Sequence, residues 1–316
     1  MSTRRICSIP SFLIFRRFLS PGRHLKSVGR PTPPYEEVPR PMTLSDKDID
    51  FLVSTVAAAG ANEILPRFRN LSAGAISEKT SAVDLVTEAD VLAEKAITAA
   101  LLQRFPKAHI VGEEAYEADQ SVIPALADAP LAFVIDPIDG TFNYASGFPA
   151  FGTLLAVTVK GETVAGFIHD PVMGDTIVAL KGEGAFLNRR NGSQAKLRVA
   201  DPAPLSDMVG IFSWGHSHQD RRPVIAANMA KIKMALSLNC SAHEYWLASA
   251  GKLHFIGHEK LMPWDHLAGV LIHQEAGGYT ARFDNTPYRP GQTEGGILSA
   301  PDKESWKMLR REIVAL

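Results

Sequence analysis

Apolar positions along this chain change their spacing twice, and the changes divide it into three stretches. Behind Ser45, a residue suited to an N-cap, Ile49, Leu52, Val53, Val56 and Ile64 recur at helical spacing and predict a first helix with one inward face. Leu92, Ala93, Ala96, Ile97, Ala100 and Leu101 predict a second helix over 90–105. Its N-terminal residue, Asp90, carries a charge that the helix dipole favours there. The short run Leu131-Ala132-Phe133-Val134-Ile135 reads as a buried inner strand that delivers Asp136 to the end of a sheet.

From Gly152 the spacing is that of strands. Segments 153–159, 163–169, 176–180 and 185–187 are separated by glycine-bearing turns, which predicts antiparallel hairpins. After Pro202-Ala203-Pro204 the pattern changes again. Short strands over 209–212, 236–238, 253–256, 279–281 and 296–299 alternate with helices over 224–234, 242–250, 265–276 and 301–314. Gly277-Gly278 ends the third of these helices in the manner of a C-terminal cap. The expected organisation is an α+β subdomain with an antiparallel sheet over 42–200 and an α/β subdomain over 201–316.

Residues 1–41 stand apart from both. Arg4, Arg5, Arg16, Arg17, Arg23, Lys26 and Arg30 precede the first acid, Glu36, and a proline cluster runs from Pro31 to Pro41. This composition resembles a transit peptide, while Met42, placed just before the first helical signal, suits a natural start. Either way the segment is expected to be disordered and to lie outside the fold.

Composition narrows the classes further. The chain has 316 residues, 46% of them hydrophobic, which allows a large core and two packed subdomains. A net charge of −1 argues against direct nucleic-acid binding. Two distant cysteines, Cys7 and Cys240, exclude a disulfide framework and fit a reducing, cytoplasmic setting. No apolar run near the start approaches the ~20 residues of a membrane span.

The chemistry concentrates in Asp136-Pro137-Ile138-Asp139-Gly140-Thr141. Pro137 stiffens the turn, and Gly140 lets backbone approach an anion, so two carboxylates and free N–H groups can face one ligand. Hard oxygen ligands of that kind suit Mg²⁺. Ile110-Val111-Gly112-Glu113-Glu114 repeats the layout of an apolar run ending in acid, and Pro263-Trp264-Asp265-His266-Leu267-Ala268-Gly269 puts an acid at a helix start.

Together these three motifs resemble the signatures of the inositol monophosphatase family, in family order. Lys79-Thr80-Ser81-Ala82-Val83-Asp84-Leu85-Val86-Thr87-Glu88-Ala89-Asp90 resembles its N-terminal segment, so the resemblance runs from about residue 44 to the C-terminus. It implies a five-layer α-β-α-β-α sandwich of the inositol monophosphatase and fructose-1,6-bisphosphatase type, with the active site between the halves and a homodimer as the assembly. It also implies two to three Mg²⁺ ions. Glu113, Asp136 and the Ile138 carbonyl would hold the first, and Asp136, Asp139 and Asp265 the second. A third would lie near Glu113, with Lys79 close by.

By the same resemblance, the N–H groups of Gly140 and Thr141 would bind phosphate oxygens. The Thr141 hydroxyl, hydrogen-bonded to Asp90, would orient and deprotonate the attacking water, with no phosphoenzyme. The substrate would be a small phosphate monoester contacted by Glu113, Ile138, Asp139, Gly140, Thr141, Ser241, Ala242 and Asp265. Lithium is expected to inhibit. The family's G-T-A step appears as Cys240-Ser241-Ala242, and the position where inositol-specific members carry glutamate is His258, followed by Glu259. Inositol phosphate is therefore the first expectation. Histidinol phosphate, a sugar bisphosphate, a phosphonucleotide, or a protein-binding role at the transcription machinery are the alternatives.

Other phosphatase chemistries do not fit. The spacing of Asp136 and Asp139 is not D-x-D, and Trp246 stands where a cysteine phosphatase needs arginine after Cys240. Gly210 to Gly215 is one residue off a nucleophile elbow, and neither a Walker A loop nor H-E-x-x-H occurs. His216 and His218 read as solvated loop residues, His266 as a group supporting a ligand, Asp84 as an anchor for the loop of Asp90, and Trp264 as a packing anchor.

Overall fold

Two β-sheets, each packed against helices, organise the described residues. The computed structural model describes residues 44–71, 76–81 and 84–316, without the side chains of Glu78, Thr80, Ser81, Asp84 and Ala118. The readings made for residues 1–41 and for the Asp84 side chain lie outside these.

Helix α1 (Asp46–Ala59) opens with a reciprocal cap: the Ser45 N–H donates to Asp48 Oδ2 at 2.9 Å, and the Asp48 N–H donates to Ser45 Oγ at 3.3 Å. Strands β1 (Ile76–Ser81) and β2 (Asp84–Thr87) form a small antiparallel ribbon that leads into α2 (Glu88–Arg104). Then follow β3 (His109–Gly112), α3 (Glu113–Ala118), β4 (Ala132–Asp139) and α4 (Thr141–Ala145). Strands β5 (Gly152–Val159), β6 (Glu162–Asp170), β7 (Asp175–Leu180), β8 (Gly184–Asn188) and β9 (Gln194–Lys196) continue from β4 as an antiparallel meander. With β3 parallel to β4, they make a seven-stranded sheet in sequence order.

The remainder builds a five-stranded sheet from β10 (Val209–Phe212), β11 (Met234–Leu236), β12 (Phe255–His258), β13 (Tyr279–Arg282) and β14 (Ile297–Ala300). Its order is β11-β10-β12-β14-β13, parallel at β11-β10-β12 and antiparallel beyond. Helices α5 (Arg222–Met229), α6 (Ser241–Ser249), α7 (Pro263–Glu275) and α8 (Lys303–Leu309) are interleaved with it.

Neighbouring residues of these strands enter different cores, as period-two alternation requires. Ile211, Ile256 and Ile297 join the interior shared with the seven-stranded sheet, α6 and α7. Phe212, Phe255 and Leu298 join Ile225, Met229, Trp306 and Leu309 beneath α5 and α8. With α2 against β4 on the far side of the larger sheet, the layers run α, β, α, β, α. That is the five-layer order expected above.

Residues on both sides of residue 200, Ala156 and Ile211 among them, belong to one hydrophobic cluster. Helix α7 ends as the glycines predicted: Gly277 is left-handed at φ +94°, its N–H donates to the Gln274 carbonyl at 2.9 Å, and the Gly278 N–H donates to the His273 carbonyl at 3.0 Å. Other boundaries moved. The strand predicted over 236–238 is Met234–Leu236, because its register is set by pairing Val209 with Met234. Asp90 is not the N-terminal residue of α2; Thr87 caps the helix and Asp90 closes the capping box from the first turn. Among the described residues no helix is long and apolar enough to cross a membrane.

Candidate active site

Strand β4 does not stop at Ile135; it runs on through Asp139, and the change has a chemical consequence. Along a regular strand, residues three apart point to opposite faces. Here Asp136 pairs with Leu154 but Asp139 pairs with Gly152, so β4 carries one extra residue over this span. The bulge turns both carboxylates to the same side. Pro137, which has no N–H to lose, suits it, and Thr153 Oγ1 pins it by donating to the Pro137 carbonyl at 2.8 Å.

Asp265, in the first turn of α7, completes the cluster. One oxygen of each of Asp136, Asp139 and Asp265 lies within 4.8 Å of the others. Burial raises all three: Asp136 stands well above the ordinary carboxylate range with Glu113, Asp139 and Asp265 adding to the effect, Asp139 is pushed up to about 7 with help from Asp265, and Asp265 is raised by burial although Lys260 and His216 oppose it. Asp136 Oδ1 is buried with no hydrogen-bond partner. Hard, convergent carboxylate oxygens with one atom left unpartnered fit an oxygen-preferring divalent cation such as Mg²⁺.

Asp139 is also held from the other side. The Ala242 N–H donates to its Oδ2 at 2.5 Å, and Cys240 Sγ lies 3.1 Å from the same oxygen. The start of α6 is thereby tied to β4, and Ser241 is brought to the cavity edge while Ala242 is buried behind it. Gly140 follows at φ +87°, where a Cβ would meet the Ala150 carbonyl at 2.9 Å, so only glycine fits between Asp139 and α4.

Thr141 opens α4, and its hydroxyl donates to the Ile138 carbonyl at 3.0 Å and to Asp90 Oδ1 at 3.3 Å. Asp90 in turn accepts from the Thr87 N–H at 2.8 Å and the Thr87 hydroxyl at 2.5 Å. Burial outweighs these hydrogen bonds and lifts Asp90 to about 7. The Thr141–Asp90 link expected from sequence is present.

Glu113, the first residue of α3, faces the same cavity but stands outside the three-aspartate cluster. Lys79 Nζ lies 2.9 Å from Glu113 Oε1 and 2.8 Å from Glu114 Oε1. Burial works against the Lys79 charge, yet the two carboxylates overcome it and hold its pKa above the usual value. Burial raises Glu113 as well, opposed by Lys79, while Glu114 is pushed up to about 8.

The cavity joins Glu113, Asp139, Gly140, Thr141, Ser241 and Asp265, six of the residues named from sequence. A family model described as the inositol monophosphatase family matches residues 46–315. The chain belongs to the inositol monophosphatase family. A fructose-1,6-bisphosphatase/inositol-1-monophosphatase of Thermotoga maritima is 32% identical over 209 residues, covering 66% of this chain and 75% of the relative. A Nus factor SuhB of Pasteurella multocida is 29% identical over 205 residues, 64% of this chain and 73% of that one. Among solved structures, a Thermotoga maritima IMPase superposes with a TM-score of 0.69 at 26% identity, covering 85% of this chain and 96% of its own. Members of the inositol monophosphatase family are phosphatases, and by class the chain is a phosphoric monoester hydrolase.

Around the cavity of this family member, Glu244 was not singled out from sequence, while the histidines and Trp264 were. His216 and His218 are both exposed, as expected of solvated loop residues; His216 also borders the cavity, and His218 pairs with Asp220 at 2.5 Å. Glu244, on α6, lies in the cavity wall and reads locally as one more helix residue. His266 is bound to the Lys260 carbonyl at 2.9 Å through Nε2, which supports the turn before Asp265. Trp264 packs against Tyr116 with ring centroids 5.1 Å apart, the packing role expected of it.

Proposed function

We propose that the chain is a Mg²⁺-dependent phosphomonoesterase that hydrolyses a small alcohol phosphate, with myo-inositol monophosphate the favoured substrate. One observation carries this reading: the β4 bulge turns Asp136 and Asp139 to one side, within 4.8 Å of Asp265 and directly before Gly140-Thr141. A relative named for both fructose-1,6-bisphosphate and inositol-1-phosphate supports the substrate class.

Asp136, Asp139 and Asp265 would hold Mg²⁺, with Glu113 and the Ile138 carbonyl completing a first site that Asp136 shares. When bound, the metal supplies Lewis-acid activation of water and neutralises charge on the phosphoryl and leaving oxygens. The remaining work falls to the chain itself. The Gly140 and Thr141 N–H groups offer donors to phosphate oxygens. The Thr141 hydroxyl positions the attacking water, and Asp90, with a pKa raised to about 7, can take its proton at neutral pH. Ser241 and Ala242 border the alcohol side.

A second reading comes from the relative named Nus factor SuhB: a protein-binding role carried on the same fold. Phosphate release from a panel of monoesters and bisphosphates with Mg²⁺, with and without Li⁺, tests both. The expected result is a preferred substrate whose turnover is lost in Asp136→Asn. Absence of turnover on every ester, with a cellular phenotype that survives Asp136→Asn, would replace the enzyme by the binding module.

A further inference from the structure

Arg221 stands at the N-terminus of α5, a helix with no acidic residue in its first turn. A cation at the positive end of a helix dipole is unfavourable locally, so contacts elsewhere must hold it there. Its guanidinium reaches two elements distant in sequence: Nε donates to Glu259 Oε1 at 2.6 Å, and Nη2 donates to the Val314 carbonyl at 3.0 Å. Val314 is fully buried at the end of the last helical turn (Arg310–Val314), and Asn228 Nδ2 donates to the neighbouring Ile313 carbonyl at 3.1 Å. Carbonyls at the end of a helix favour a cation, so the planar fork is held on that side while it binds Glu259 on the other.

Glu259 and Lys260 follow β12 directly, and both line the cavity that holds Glu113, Asp139 and Asp265, whereas Arg221 does not. Lys260 is exposed, and among the described residues its ammonium has no ion pair. Its charge is felt inside the site. Burial raises Glu113 and Asp265, and Lys260 is among the cations that oppose this on both. A carboxylate and an ammonium on adjacent residues of one turn attract each other unless one of them is held away. Arg221 is what holds Glu259.

We propose that Arg221 is a positioning residue for an anionic substrate: it draws Glu259 back toward α5, and so leaves the Lys260 ammonium free to attract the phosphate group into the cavity. The proposal rests on the phosphomonoesterase reading above. Without Arg221, Glu259 adds a negative charge to the rim and neutralises the neighbouring cation. Capture of the ester then suffers, while the chemical step, set by the aspartates and Thr141, does not.

The test measures KM and kcat for inositol 1-phosphate and phenyl phosphate with Mg²⁺ in wild type, Arg221→Gln, Glu259→Gln, the double variant and Lys260→Gln. Arg221→Gln should raise KM for both esters by about three- to fivefold, the range of an exposed charge pair, with kcat held. The double variant should return KM to the wild-type value although the Val314 contact stays broken, a rescue that lost packing alone would not give. Thermal melting reads that contact separately. Lys260→Gln, an exposed substitution, should raise KM as Arg221→Gln does, and it decides the matter even if Arg221→Gln does not fold. A double variant as impaired as Arg221→Gln would reduce Arg221 to a structural clamp and overturn the proposal. An unchanged KM in Lys260→Gln would overturn it too, as would a rise confined to one ester or a rise in Glu259→Gln, which would make Glu259 a substrate contact. Wild type that releases phosphate from neither ester, nor from any other in the panel above, would instead sink the phosphatase reading, and this proposal with it.

Discussion

Glu94 lies directly beneath Gly112: a Cβ added to the glycine would fall 2.2 Å from the Glu94 carboxyl carbon. The carboxylate occupies that space to accept the N–H of Glu114 at 2.8 Å and of Ala115 at 2.9 Å. A residue of α2 thus caps α3, the helix that begins with Glu113. Gly112→Ala should expel the carboxylate, costing about 1–3 kcal/mol from crowding, with about as much again from donors left unpaired. Glu113 should shift with the helix. Thermal melts and Mg²⁺ titration of turnover should both respond, and an unchanged melting temperature would refute the packing argument.

Asp136→Asn should act in opposite directions on stability and activity. Without metal, the Asp136 charge is opposed first by burial and then by Glu113, Asp139 and Asp265, so asparagine relieves repulsion. In chelator the variant should melt no lower than wild type. With Mg²⁺ at about 100 times its dissociation constant, wild type should gain about 2.7 kcal/mol, and the variant should gain almost none. Losing Lewis-acid stabilisation of several kcal/mol should lower turnover by about 10²–10⁴-fold. A variant that retains the Mg²⁺-dependent rise in melting temperature would show that Asp136 is not a ligand.

The two carboxylates of β4 were legible because an apolar run ended in acids around a proline and glycine. What brings them to one face was not: the bulge depends on the register Asp136 to Leu154 and Asp139 to Gly152, a property of two strands rather than one. Glu94 and Glu244 were missed for a related reason. On a helix a glutamate ordinarily signals the solvent face, and only packing against α3 or β12 reveals these two as buried. Gly277-Gly278 could be read as a helix end because the Schellman cap is local. The limits of β11 and β12 were displaced by about two residues, since pairing with β10 sets them and the apolar run does not.

Acid should destabilise the fold through histidines remote from the site. His273 is 1% exposed, with Nδ1 3.0 Å from Thr280 Oγ1, and burial lowers its pKa to about 4. Its unfolded value is near 6.5, so between those values the unfolded chain binds a proton that the native state does not. Stability from this residue is complete above pH ~6.5 and is lost as pH falls toward ~4, at up to about 1.4 kcal/mol per unit. His273→Gln should therefore be less stable than wild type at pH 7.5, and the difference should narrow as pH drops through this window. The comparison holds the site carboxylates constant. A difference independent of pH would mean that folding leaves the His273 pKa unchanged, and would refute the burial argument.

Packing between β6 and α7 should reach the site from a distance. A Cβ on Gly166 would lie 2.7 Å from the Ala268 carbonyl oxygen and 3.1 Å from its Cα. Both are helix backbone, so neither can swing aside as a flexible side chain would. Gly166→Ala must push α7 away from the sheet, at a cost of about 1–3 kcal/mol, and α7 carries Asp265 one turn before Ala268. The carboxylate should move out of the 4.8 Å cluster, and the Mg²⁺ concentration for half-maximal turnover should rise several-fold. Gly215→Ala is the stability control: a Cβ there meets nothing within 4 Å, so its melting temperature should match wild type. If Gly166→Ala lowers stability but leaves the Mg²⁺ dependence unchanged, then α7 repositions without carrying Asp265, and the first turn of that helix is anchored from the turn that His266 binds at the Lys260 carbonyl.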